Sequence, residues 1–499
     1  MQKPNQFIKL RLQKLARLRE MGVDPYPVLS HRSHKIGAVI EDKDALVAQE
    51  TEVTLAGRLV AMRRQGKLGF GDLEDDSGRV QIYVQRDLVG EDNYEVFKLF
   101  DPGDFVQIRG SMFYTKSGEY SIKAREVTML SKNIRPLPAV KEKIDDKGNV
   151  IRYDEFADIE LRYRKRYLDL LLNPNHRDVF IKRSKIVTAV RKYLDERGFI
   201  EVETPILQPL YGGANARPFI THHNTLGVDL YLRIALELYL KRLIVGGFER
   251  VYELGRNFRN EGMDRTHNPE FTMLEVYQAY SDLEGMMNLT EGLFHHLAED
   301  VLGQTCFHFR GYDIHLDKPF ERASMTDLVK RYAGIDLSDM DYDKALAFCK
   351  EKGLEIPVGA QVGKLIELLF ETYVEEKLVE PIFVVDYPKE ISPLAKAKPD
   401  NPMLADRFEL FIAGGEFANA FSELNDPIDQ RERFEAQAAL KAKGDLEATP
   451  VDEDFLEALE YGMPPMGGLG IGIDRMVMLL TENDSIKEVI LFPQMKRLD

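Results

Sequence analysis

The chain has 499 residues, too many for a single hydrophobic core, so we expect two or three domains. Its content of 44% hydrophobic and 30% charged residues is typical of a globular protein, and no run of 18 apolar residues indicates a membrane span. A formal net charge of −16 excludes a general polyanion binder but not a local basic face.

Residues 1–50 are predicted to form an N-terminal helical extension. Leu10, Leu15 and Leu18 recur there at helical spacing, and lysines and arginines fill the positions between them. Residues 1–21 carry six cations and one acid, so the segment is basic within an acidic chain. Two interpretations stay open: an amphipathic helix that docks through its leucines, or a helix placed to touch a phosphate backbone.

Residues 51–135 show three alternating strand patterns, a short helix and two further strands. This is the order of an OB-fold barrel, whose open face binds oligonucleotides. Phe70 and Gln81 are predicted to lie on that face, beside Arg63. Such barrels hold single-stranded bases with aromatic rings and cations. From the pattern alone, the alternative that Phe70 fills the barrel interior is equally open.

A linker is predicted for residues 136–165, where Pro136 and Pro138 precede a charged stretch. Residues 166–499 are predicted to form a second, larger domain that mixes strands and helices. Within it, residues from about 325 to 380 are rich in acids and alanine and are predicted to be a helical insertion.

Two separated segments of the larger domain suit a nucleoside triphosphate. Residues 258–271 read as a strand, a loop and a strand that carry Arg259, the carboxylates of Glu261 and Glu270, the His267 imidazole and the Phe271 ring. A fixed guanidinium suits a phosphate, and a ring suits a base. Residues 468–475 add a glycine-rich approach that ends at Arg475.

With a third segment, these make the chain resemble the class II aminoacyl-tRNA synthetases, and among them the bacterial-type lysyl-tRNA synthetases. A helix and strand that end at Pro205 resemble motif 1, the dimer-forming element; residues 256–271 resemble motif 2, and residues 470–475 resemble motif 3. The resemblance implies an α+β fold, in which an N-terminal OB-fold barrel precedes a class II catalytic domain with an antiparallel β-sheet flanked by helices. It also implies a homodimer without membrane association.

The activity implied is that of a lysine–tRNA ligase. L-lysine is activated with ATP to lysyl-adenylate and pyrophosphate, and lysine is then transferred to the 3′ end of tRNA(Lys). Because the attacking carboxylate is already ionised, catalysis rests on positioning and charge neutralisation. The resemblance makes Arg259 and Arg475 catalytic. It assigns ATP binding to Arg259, Glu261, His267, Asn268, Phe271 and Arg475.

Metal binding is implied at Glu409 and Glu416, which match ligands of Mg²⁺ in the family, with two or three ions per active site. On pattern alone, two acids at this spacing are more often surface charges. Cys306 and Cys349 have no metal-binding or redox spacing and predict a reducing compartment, the cytoplasm.

A lysine pocket must hold two ammonium groups and one carboxylate, so it needs at least two acids and one cation. The resemblance assigns the α-amino group to Glu237 and the Gly213 carbonyl, and the side-chain ammonium to Glu423 and Tyr277. Glu275 either joins them or is a structural acid. The full predicted set is Gly213, Glu237, Arg259, Glu275, Tyr277, Asn419, Phe421 and Glu423.

Anticodon binding is implied at Arg63, Phe70, Gln81 and Glu126. An asparaginyl or aspartyl synthetase is the nearest alternative, but it would require a cation or amide where this chain has Glu423. A lysyl-transferase paralogue would usually lack the OB domain. A non-catalytic RNA-binding relative is expected to have lost catalytic residues such as Arg475.

Overall fold

The computed structural model describes residues 6–138, 140–144, 150–154, 156, 158–357, 359–442 and 449–497, without the side chains of residues 140–144, 150–154 and 440–442. The first five residues of the predicted extension and several residues of the predicted linker therefore lie outside the described residues. The chain divides into two compact units, Met1–Ala157 and Asp158–Asp499.

The first unit contains a closed five-stranded barrel. Its elements are α1 (Gln6–Glu20), α2 (Ile36–Glu41), α3 (Lys43–Ala48), β1 (Glu52–Gln65), β2 (Leu68–Glu74), β3 (Arg79–Gln85), α4 (Arg86–Val89), α5 (Glu91–Lys98), β4 (Phe105–Tyr114), β5 (Tyr120–Ser131), β6 (Val140–Ile144) and β7 (Val150–Asp154). The strand order in the barrel is β1-β2-β3-β5-β4, and only β3 and β5 pair in parallel. The predicted OB-fold is confirmed.

The barrel core follows from strand alternation. In β1, Val53, Leu55 and Leu59 point inward, and in β3 Val80 and Ile82 do the same. Successive side chains of a strand point to opposite faces, so one face of each strand fills the interior. The other face is left to the barrel exterior.

Helix α1 docks on this barrel. Leu15 and Leu18 are buried and Leu18 belongs to the barrel core, whereas Leu10 is exposed and takes no part in the docking. Two of the helix's cations are also bound: Arg11 donates to the Pro102 carbonyl at 3.0 Å, and Lys14 pairs with Asp101 at 2.5 Å. The docking interpretation therefore describes α1, and these two cations are occupied by the barrel itself.

The second unit begins with α6 (Ile159–Arg164), α7 (Arg166–Leu172), α8 (Pro174–Asp195), β8 (Ile200–Glu201), β9 (Leu207–Gln208), β10 (Ile220–His223), β11 (Val228–Leu232), α9 (Glu237–Val245), β12 (Arg250–Phe258), β13 (Glu270–Ala279) and α10 (Leu283–His296). A π-helical turn (Leu297–Leu302) follows, then β14 (Cys306–Phe309), β15 (Tyr312–His315) and β16 (Glu321–Ser324).

The remainder of this unit starts with α11 (Met325–Ala333), α12 (Tyr342–Glu351), α13 (Val362–Tyr373) and a 3₁₀ turn (Glu375–Lys377). It continues through β17 (Ile382–Pro388), a second 3₁₀ turn (Lys389–Ile391), β18 (Leu404–Ile412) and β19 (Gly415–Ser422). It ends with α14 (Pro427–Ala442), α15 (Glu453–Glu460), β20 (Met466–Gly472), α16 (Ile473–Leu480) and α17 (Ile486–Val489).

An eight-stranded sheet organises the second unit, in the order β16-β17-β18-β19-β20-β13-β12-β8. The six central strands are antiparallel, and the outermost pair at each end is parallel. This is the predicted class II arrangement, and with the barrel it makes the fold α+β. Helices α8, α10 and α16 pack on one face of the sheet and form the main hydrophobic core with it.

Alternation along the central strands gives the sheet a second, polar face. In β13, Leu274 and Val276 join the core, so Glu275 and Tyr277 point the other way. In β19, Ala418 and Ala420 face the core in the same way, and in β20 Leu469 and Ile471 do so between glycines. The face opposite the core therefore carries acids, amides and bare backbone.

Helices α11–α13 lie within the predicted insertion. They pack around a separate cluster that includes Leu328, Leu365 and Ile366, and residues of β17 such as Val384 complete it. Within the described parts of the chain, no helix combines the length and apolar character that a membrane crossing requires.

Candidate functional site

Two adjoining cavities open on the polar face of the sheet, with volumes of about 340 Å³ and about 210 Å³. Arg259, Met273, Glu416, Asn419 and Gly470 line both cavities and form their common wall. Every residue of the set predicted to bind lysine lines the first cavity, and every residue predicted to bind ATP lines the second. The structure thus brings together residues that are far apart in the sequence.

Glycines keep the floor of the first cavity open. A Cβ on Gly468 would lie 1.9 Å from Glu423 Oε1 and 2.6 Å from a ring carbon of Tyr277. Gly213, which has a φ of +85°, approaches Glu237 so closely that an added Cβ would lie 3.1 Å from the Cβ of that residue. Side chains at either position would displace the acids that line the cavity.

Three carboxylates converge in this cavity. Glu237, Glu275 and Glu423 are 6%, 3% and 2% exposed. Glu275 accepts hydrogen bonds from the Leu236 amide and from the Tyr277 hydroxyl, both at 3.0 Å. Oε1 of Glu423 accepts no hydrogen bond from the described residues, and Oε2 is ion-paired with the buried Lys241. The cavity therefore holds a buried acceptor oxygen whose hydrogen-bonding capacity is unfilled.

Burial changes how these acids titrate. Burial, reinforced by the charge of Glu237, raises the pKa of Glu275 to about 7. Burial also raises the pKa of Glu423 to about 8, although the ammonium of Lys241 opposes that shift. Three carboxylates crowded in a low-dielectric site cannot all ionise without added positive charge. The cavity is thus built for a cationic ligand.

Lys241 is the residue that sequence reasoning missed. It is fully buried and forms ion pairs with both Glu237 and Glu423. Its place one helical turn after Glu237 on α9 was a visible signal, because residues at i and i+4 share a helix face. That spacing alone did not reveal the second partner, which comes from the far end of the chain.

Arg259 lies where the two cavities meet. Its guanidinium packs 5.2 Å from the Phe271 ring centroid, and its buried Nε has no hydrogen-bond partner among the described residues. Burial lowers the pKa of Arg259, and the nearby charges of Glu416 and Glu261 oppose that shift. An unpaired guanidinium edge between acids is available to an anion that enters either cavity.

The second cavity is built on the hairpin of β12 and β13, which confirms the predicted strand, loop and strand. His267 lies in the connecting loop, where its Nδ1 is 2.8 Å from Asp264 Oδ2. From the first turn of α16, Arg475 reaches His267 at 3.0 Å and donates to the Glu416 carbonyl at 2.5 Å. The two predicted phosphate-binding segments are therefore in direct contact.

The other predicted residues of this cavity differ in how firmly they are held. Asn268 donates from Nδ2 to the Glu270 carbonyl at 2.6 Å and is thereby fixed against β13. Glu261 is exposed in the loop at the cavity edge. Phe271 pairs in register with Asn257 and presents its ring to the cavity.

Glu409 and Glu416 occupy adjacent strands but do not face each other. Glu409 is opposite Asn419, whereas Glu416 is opposite Phe411, across a register shift. Glu409 accepts hydrogen bonds from the Tyr387 hydroxyl at 2.9 Å and from the Asn419 amide at 3.1 Å. Glu416 is half-buried, and its carboxylate lies 3.7 Å from Arg475, so it has spare acceptor capacity.

This pair fits a hard cation only in part. Among the residues that the structure describes, no group of three or more His, Cys, Asp or Glu side chains could hold a metal alone. Mg²⁺ is commonly held by one or two carboxylates together with substrate phosphates and water. Glu416 lines both cavities and matches that donor set, whereas Glu409 lines only the first cavity and is already ion-paired with the buried Arg407.

On the barrel, Phe70 faces outward. The inward positions of β2 are Gly69, Gly71 and Leu73, so Phe70 lies on the exterior and does not fill the interior. Arg63 of β1 lies 5.1 Å from its ring centroid. The aromatic ring and the cation predicted from the sequence are thus adjacent on one outer face.

Two further aromatic rings extend this face. The ring centroids of Tyr83 and Phe70 are 5.4 Å apart, and so are those of Phe113 and Tyr83. Both pairs are packed edge to face. Lys123 lies 4.8 Å from the Phe113 ring centroid. Strand alternation could have indicated Tyr83, but the pairing of β4 with β5 that brings in Phe113 is not readable from local sequence.

The remaining predicted barrel residues have protein partners. Gln81 accepts a hydrogen bond from the Ser121 hydroxyl at 3.0 Å and stays on the same outer face. Glu126 is exposed and lies 3.6 Å from Arg109 on β4. The structure therefore places Gln81 near the aromatic row and pairs Glu126 with a neighbouring strand.

Family models match both units of the chain. Residues 158–496 match the family described as tRNA synthetases class II (D, K and N). Residues 53–130 match the family described as OB-fold nucleic acid binding domain.

Whole-length relatives are also similar. The chain is 52% identical over 493 residues to the lysine–tRNA ligase of Moorella thermoacetica, which covers 99% of this chain and 98% of that protein. It is 52% identical over 499 residues to the lysine–tRNA ligase of Lactococcus lactis subsp. cremoris, covering 99% of each. With the Bacillus subtilis lysine–tRNA ligase the identity is 50% over 499 residues, covering 99% of this chain and 98% of that protein.

Proposed function

The chain belongs to the class II tRNA synthetases of the D, K and N group, and within them to the lysine–tRNA ligases, and from this premise we propose how its residues carry out that activity. A lysine carboxylate oxygen attacks the α-phosphorus of ATP, lysyl-adenylate forms and pyrophosphate leaves. The terminal ribose hydroxyl of tRNA(Lys) then attacks the adenylate carbonyl, and AMP leaves.

One observation carries the substrate assignment: the first cavity contains three buried carboxylates, and Oε1 of Glu423 has no partner among the described residues. An amino acid with a neutral side chain would leave that oxygen unpaired, at a cost of about 1–3 kcal/mol or more. L-lysine supplies two ammonium groups. The cavity thereby rejects leucine or methionine through the charge they lack.

Lysine lies along the cavity with its α-amino group at Glu237 and the Gly213 carbonyl. Its side-chain ammonium reaches Glu423 and Tyr277, which both crowd the bare backbone of Gly468. Glu275 acts as a structural acid, because both of its oxygens already accept hydrogen bonds.

The other groups of the amino acid meet the common wall of the two cavities. Arg259 offers its unpaired guanidinium edge to the carboxylate, and the Asn419 amide lies beside it. Phe421 covers the aliphatic stem. The carboxylate is thereby held at the wall that faces the second cavity, where the α-phosphorus must lie.

ATP occupies the second cavity. Arg259 bridges the α-phosphate and the lysine carboxylate, and His267 and Arg475 bind the outer phosphates from one side. Phe271 and Arg475 enclose the adenine, while Glu261 and Asn268 place the nucleoside. The sum of these contacts neutralises charge that develops on the phosphates, which is the chief requirement of phosphoryl and nucleotidyl transfer.

Glu409 and Glu416 would hold Mg²⁺, with two or three ions when ATP is bound. When bound, Mg²⁺ would neutralise the phosphate charge and lower the cost of pyrophosphate departure. In the protein, Tyr387 and Asn419 orient Glu409 through hydrogen bonds, so its carboxylate is fixed before any ion arrives.

The aromatic row on the barrel binds the anticodon. Phe70 offers a stacking face, Arg63 a cation for the phosphate backbone and Gln81 a hydrogen-bonding amide. Stacking on aromatic side chains contributes about 1–3 kcal/mol per base in single-stranded RNA binding. Glu126 would contact the same base once its ion pair with Arg109 is broken.

A homodimer forms through motif 1, the helix and strand that end at Pro205, and through the small sheet of β9, β10 and β11 that follows it. Leu207, Ile220 and Leu226 are 49%, 65% and 68% exposed, and the first two lie on the small sheet of β10, β11 and β9. Large exposed apolar residues grouped in this way mark protein–protein contacts. We place the enzyme in the cytoplasm, since both cysteines are free thiols.

The domain boundaries proposed are residues 1–50 for the helical extension, 51–135 for the anticodon-binding barrel and 136–165 for the linker. Residues 166–499 form the catalytic domain, with its helical insertion at about 325–380. The separate hydrophobic clusters of the barrel and of α11–α13 support this division.

Amino-acid-dependent ATP–pyrophosphate exchange tests the assignment. Exchange with L-lysine, and none with L-aspartate, L-asparagine or L-leucine, is the expected result. Exchange with aspartate or asparagine would instead assign the chain to a sister specificity of the D, K and N group. Absence of exchange with any amino acid would support a non-catalytic RNA-binding protein.

A further inference from the structure

Lys241 has a position in the lysine pocket that the contacts with the substrate do not explain. Its side chain is fully buried, yet it is absent from the lining of the cavity, so it lies behind the acids and out of reach of the ligand. Burying an ammonium group costs several kcal/mol unless partners compensate it. Lys241 therefore needs a reason to be there.

The reason lies in its two partners. Its ammonium forms one ion pair with Glu237, on its own helix, and a second with Glu423, which follows β19. These are the acids proposed for the α-amino and the side-chain ammonium groups of lysine. One buried cation thus connects the two carboxylates that must be held at a fixed separation.

The charge count points the same way. Glu237, Glu275 and Glu423 together offer three negative charges when all are ionised, and Lys241 cancels one of them. The other charged residues of the cavity cancel in pairs: Arg407 is ion-paired with Glu409, and Arg259 and Glu416 lie together at the wall shared with the second cavity. Two negative charges remain, equal to the number of ammonium groups on L-lysine. Without Lys241, a bound lysine would leave one buried carboxylate uncompensated.

Resting on the function proposed above, we propose that Lys241 is a specificity-determining positioning residue of the lysine pocket. It holds Glu237 and Glu423 as a pair from behind and sets the pocket's charge to the value that two substrate ammonium groups neutralise.

The first test is Lys241→Met, which removes the ammonium but keeps most of the side-chain length. In lysine-dependent ATP–pyrophosphate exchange, we expect the KM for lysine to rise by about tenfold or more, because breaking a buried ion pair leaves an unpaired charge. The KM for ATP is expected to stay within about twofold, since the ATP cavity does not contain Lys241.

A matched control is Lys132→Met. Lys132 is also a fully buried lysine between two carboxylates, Asp101 and Asp104, but it lies in the barrel. Its loss is expected to lower the thermal stability of the barrel and to leave both KM values in the exchange reaction unchanged.

The decisive comparison uses Glu275→Gln as a second background. That change removes one negative charge. With Lys241 still present, the pocket then has too little negative charge to neutralise both ammonium groups of lysine. Adding Lys241→Met restores the balance, and the double variant is expected to bind lysine about threefold or more tighter than Glu275→Gln alone. The effect of losing Lys241 thus reverses sign between the two backgrounds.

A space-filling role makes a different prediction. If Lys241→Met weakens lysine binding in both backgrounds, or in neither, the charge-setting role is wrong. If the single variant folds poorly, Glu275→Gln and the double variant still test the role, because weaker or equal lysine binding by the double variant would contradict it. Failure of wild-type enzyme to use lysine in the same assay would refute the proposed function itself and is therefore a separate outcome.

Discussion

Nη2 of Arg475 lies 3.0 Å from Nε2 of His267, although 208 residues separate them in the chain. On its other side, the imidazole meets Asp264 at 2.8 Å. If Nδ1 carries the proton and donates it to Asp264, Nε2 is free to accept a hydrogen bond from Arg475. Asp264 thereby fixes the tautomer and orientation of the imidazole that contacts the guanidinium. This chain of contacts joins motif 2 to motif 3 before ATP binds.

Arg475→Ala should therefore impair the chemical step. Loss of a guanidinium that neutralises charge in the transition state typically lowers kcat by about 10²–10³-fold. Steady-state exchange kinetics with saturating lysine measure this loss. Arg431→Ala is the matched control, because Arg431 pairs with Glu453 on the surface of the same unit. If the two variants had equal kinetics, Arg475 would have no role in the chemical step.

Glu423→Gln should affect lysine far more than ATP. The amide cannot ion-pair with the substrate ammonium, so we expect the KM for lysine to rise by about tenfold or more and the KM for ATP to change little. Exchange kinetics at varied lysine and varied ATP give both values. Glu453→Gln, at a surface pair, serves as control; proportionate rises in both KM values would contradict the side-chain role of Glu423.

Lysine binding should release protons near neutral pH. Burial raises the pKa of Glu423 to about 8 and that of Glu275 to about 7, so both acids are partly protonated in the free enzyme at pH 7. Bound ammonium groups favour the ionised acids and lower those pKa values. Affinity for lysine should therefore rise with pH between about 6 and 8, as less proton release is required.

Calorimetry in buffers of different ionisation enthalpy measures the number of protons released. We expect net release at pH 7 and less at pH 8.5, because a larger fraction of these acids is then ionised before lysine binds. Proton uptake, or binding that is independent of pH across this range, would show that the acids are already ionised in the free enzyme.

Much of this site was predictable from sequence because its parts are local. The alternation of β13 and β20 fixes which residues face the cavity, and the loop of motif 2 carries its own arginine and histidine. Lys241 was not predictable, since on α9 it reads as an ordinary helix cation next to Glu237. Its second partner, Glu423, is distant in the sequence, and only the folded chain brings the two residues together.

The barrel shows the same limit. The predicted OB order is correct, and Phe70 and Arg63 lie together as expected because they belong to paired strands. Phe113 joins their row only through the closure of the barrel, which brings β4 next to β5 and β5 next to β3. Long-range pairing of this kind is set by the whole fold and not by local pattern.

Phe70→Ala should weaken tRNA recognition and leave amino-acid activation intact. Loss of one stacked base contact of about 1–3 kcal/mol corresponds to a rise of about 5- to 150-fold in the KM for tRNA. Aminoacylation and exchange assays separate the two steps. Phe105→Ala is a matched control, since Phe105 is also a partly exposed ring, with Arg58 at 4.2 Å from its centroid. Loss of exchange in the Phe70 variant would indicate a folding defect.

Leu207→Glu should dissociate the dimer. Leu207 is 49% exposed on the small sheet that follows motif 1, and a charge buried there in the dimer would oppose association. Sedimentation velocity is expected to show a dimer for the wild-type enzyme and a monomer for the variant. Ile428→Glu, at a 72% exposed position on α14, should leave the dimer intact. A wild-type monomer with full activity would contradict the proposal.

A crystal structure with L-lysine and a non-hydrolysable ATP analogue tests the central claim most directly. We expect one lysine ammonium within hydrogen-bonding distance of Glu237, the other at Glu423, and Lys241 still behind and between these two acids. The carboxylate should lie at Arg259, beside the α-phosphate. Lysine bound elsewhere, or Glu237 and Glu423 turned away from both ammonium groups, would contradict the account.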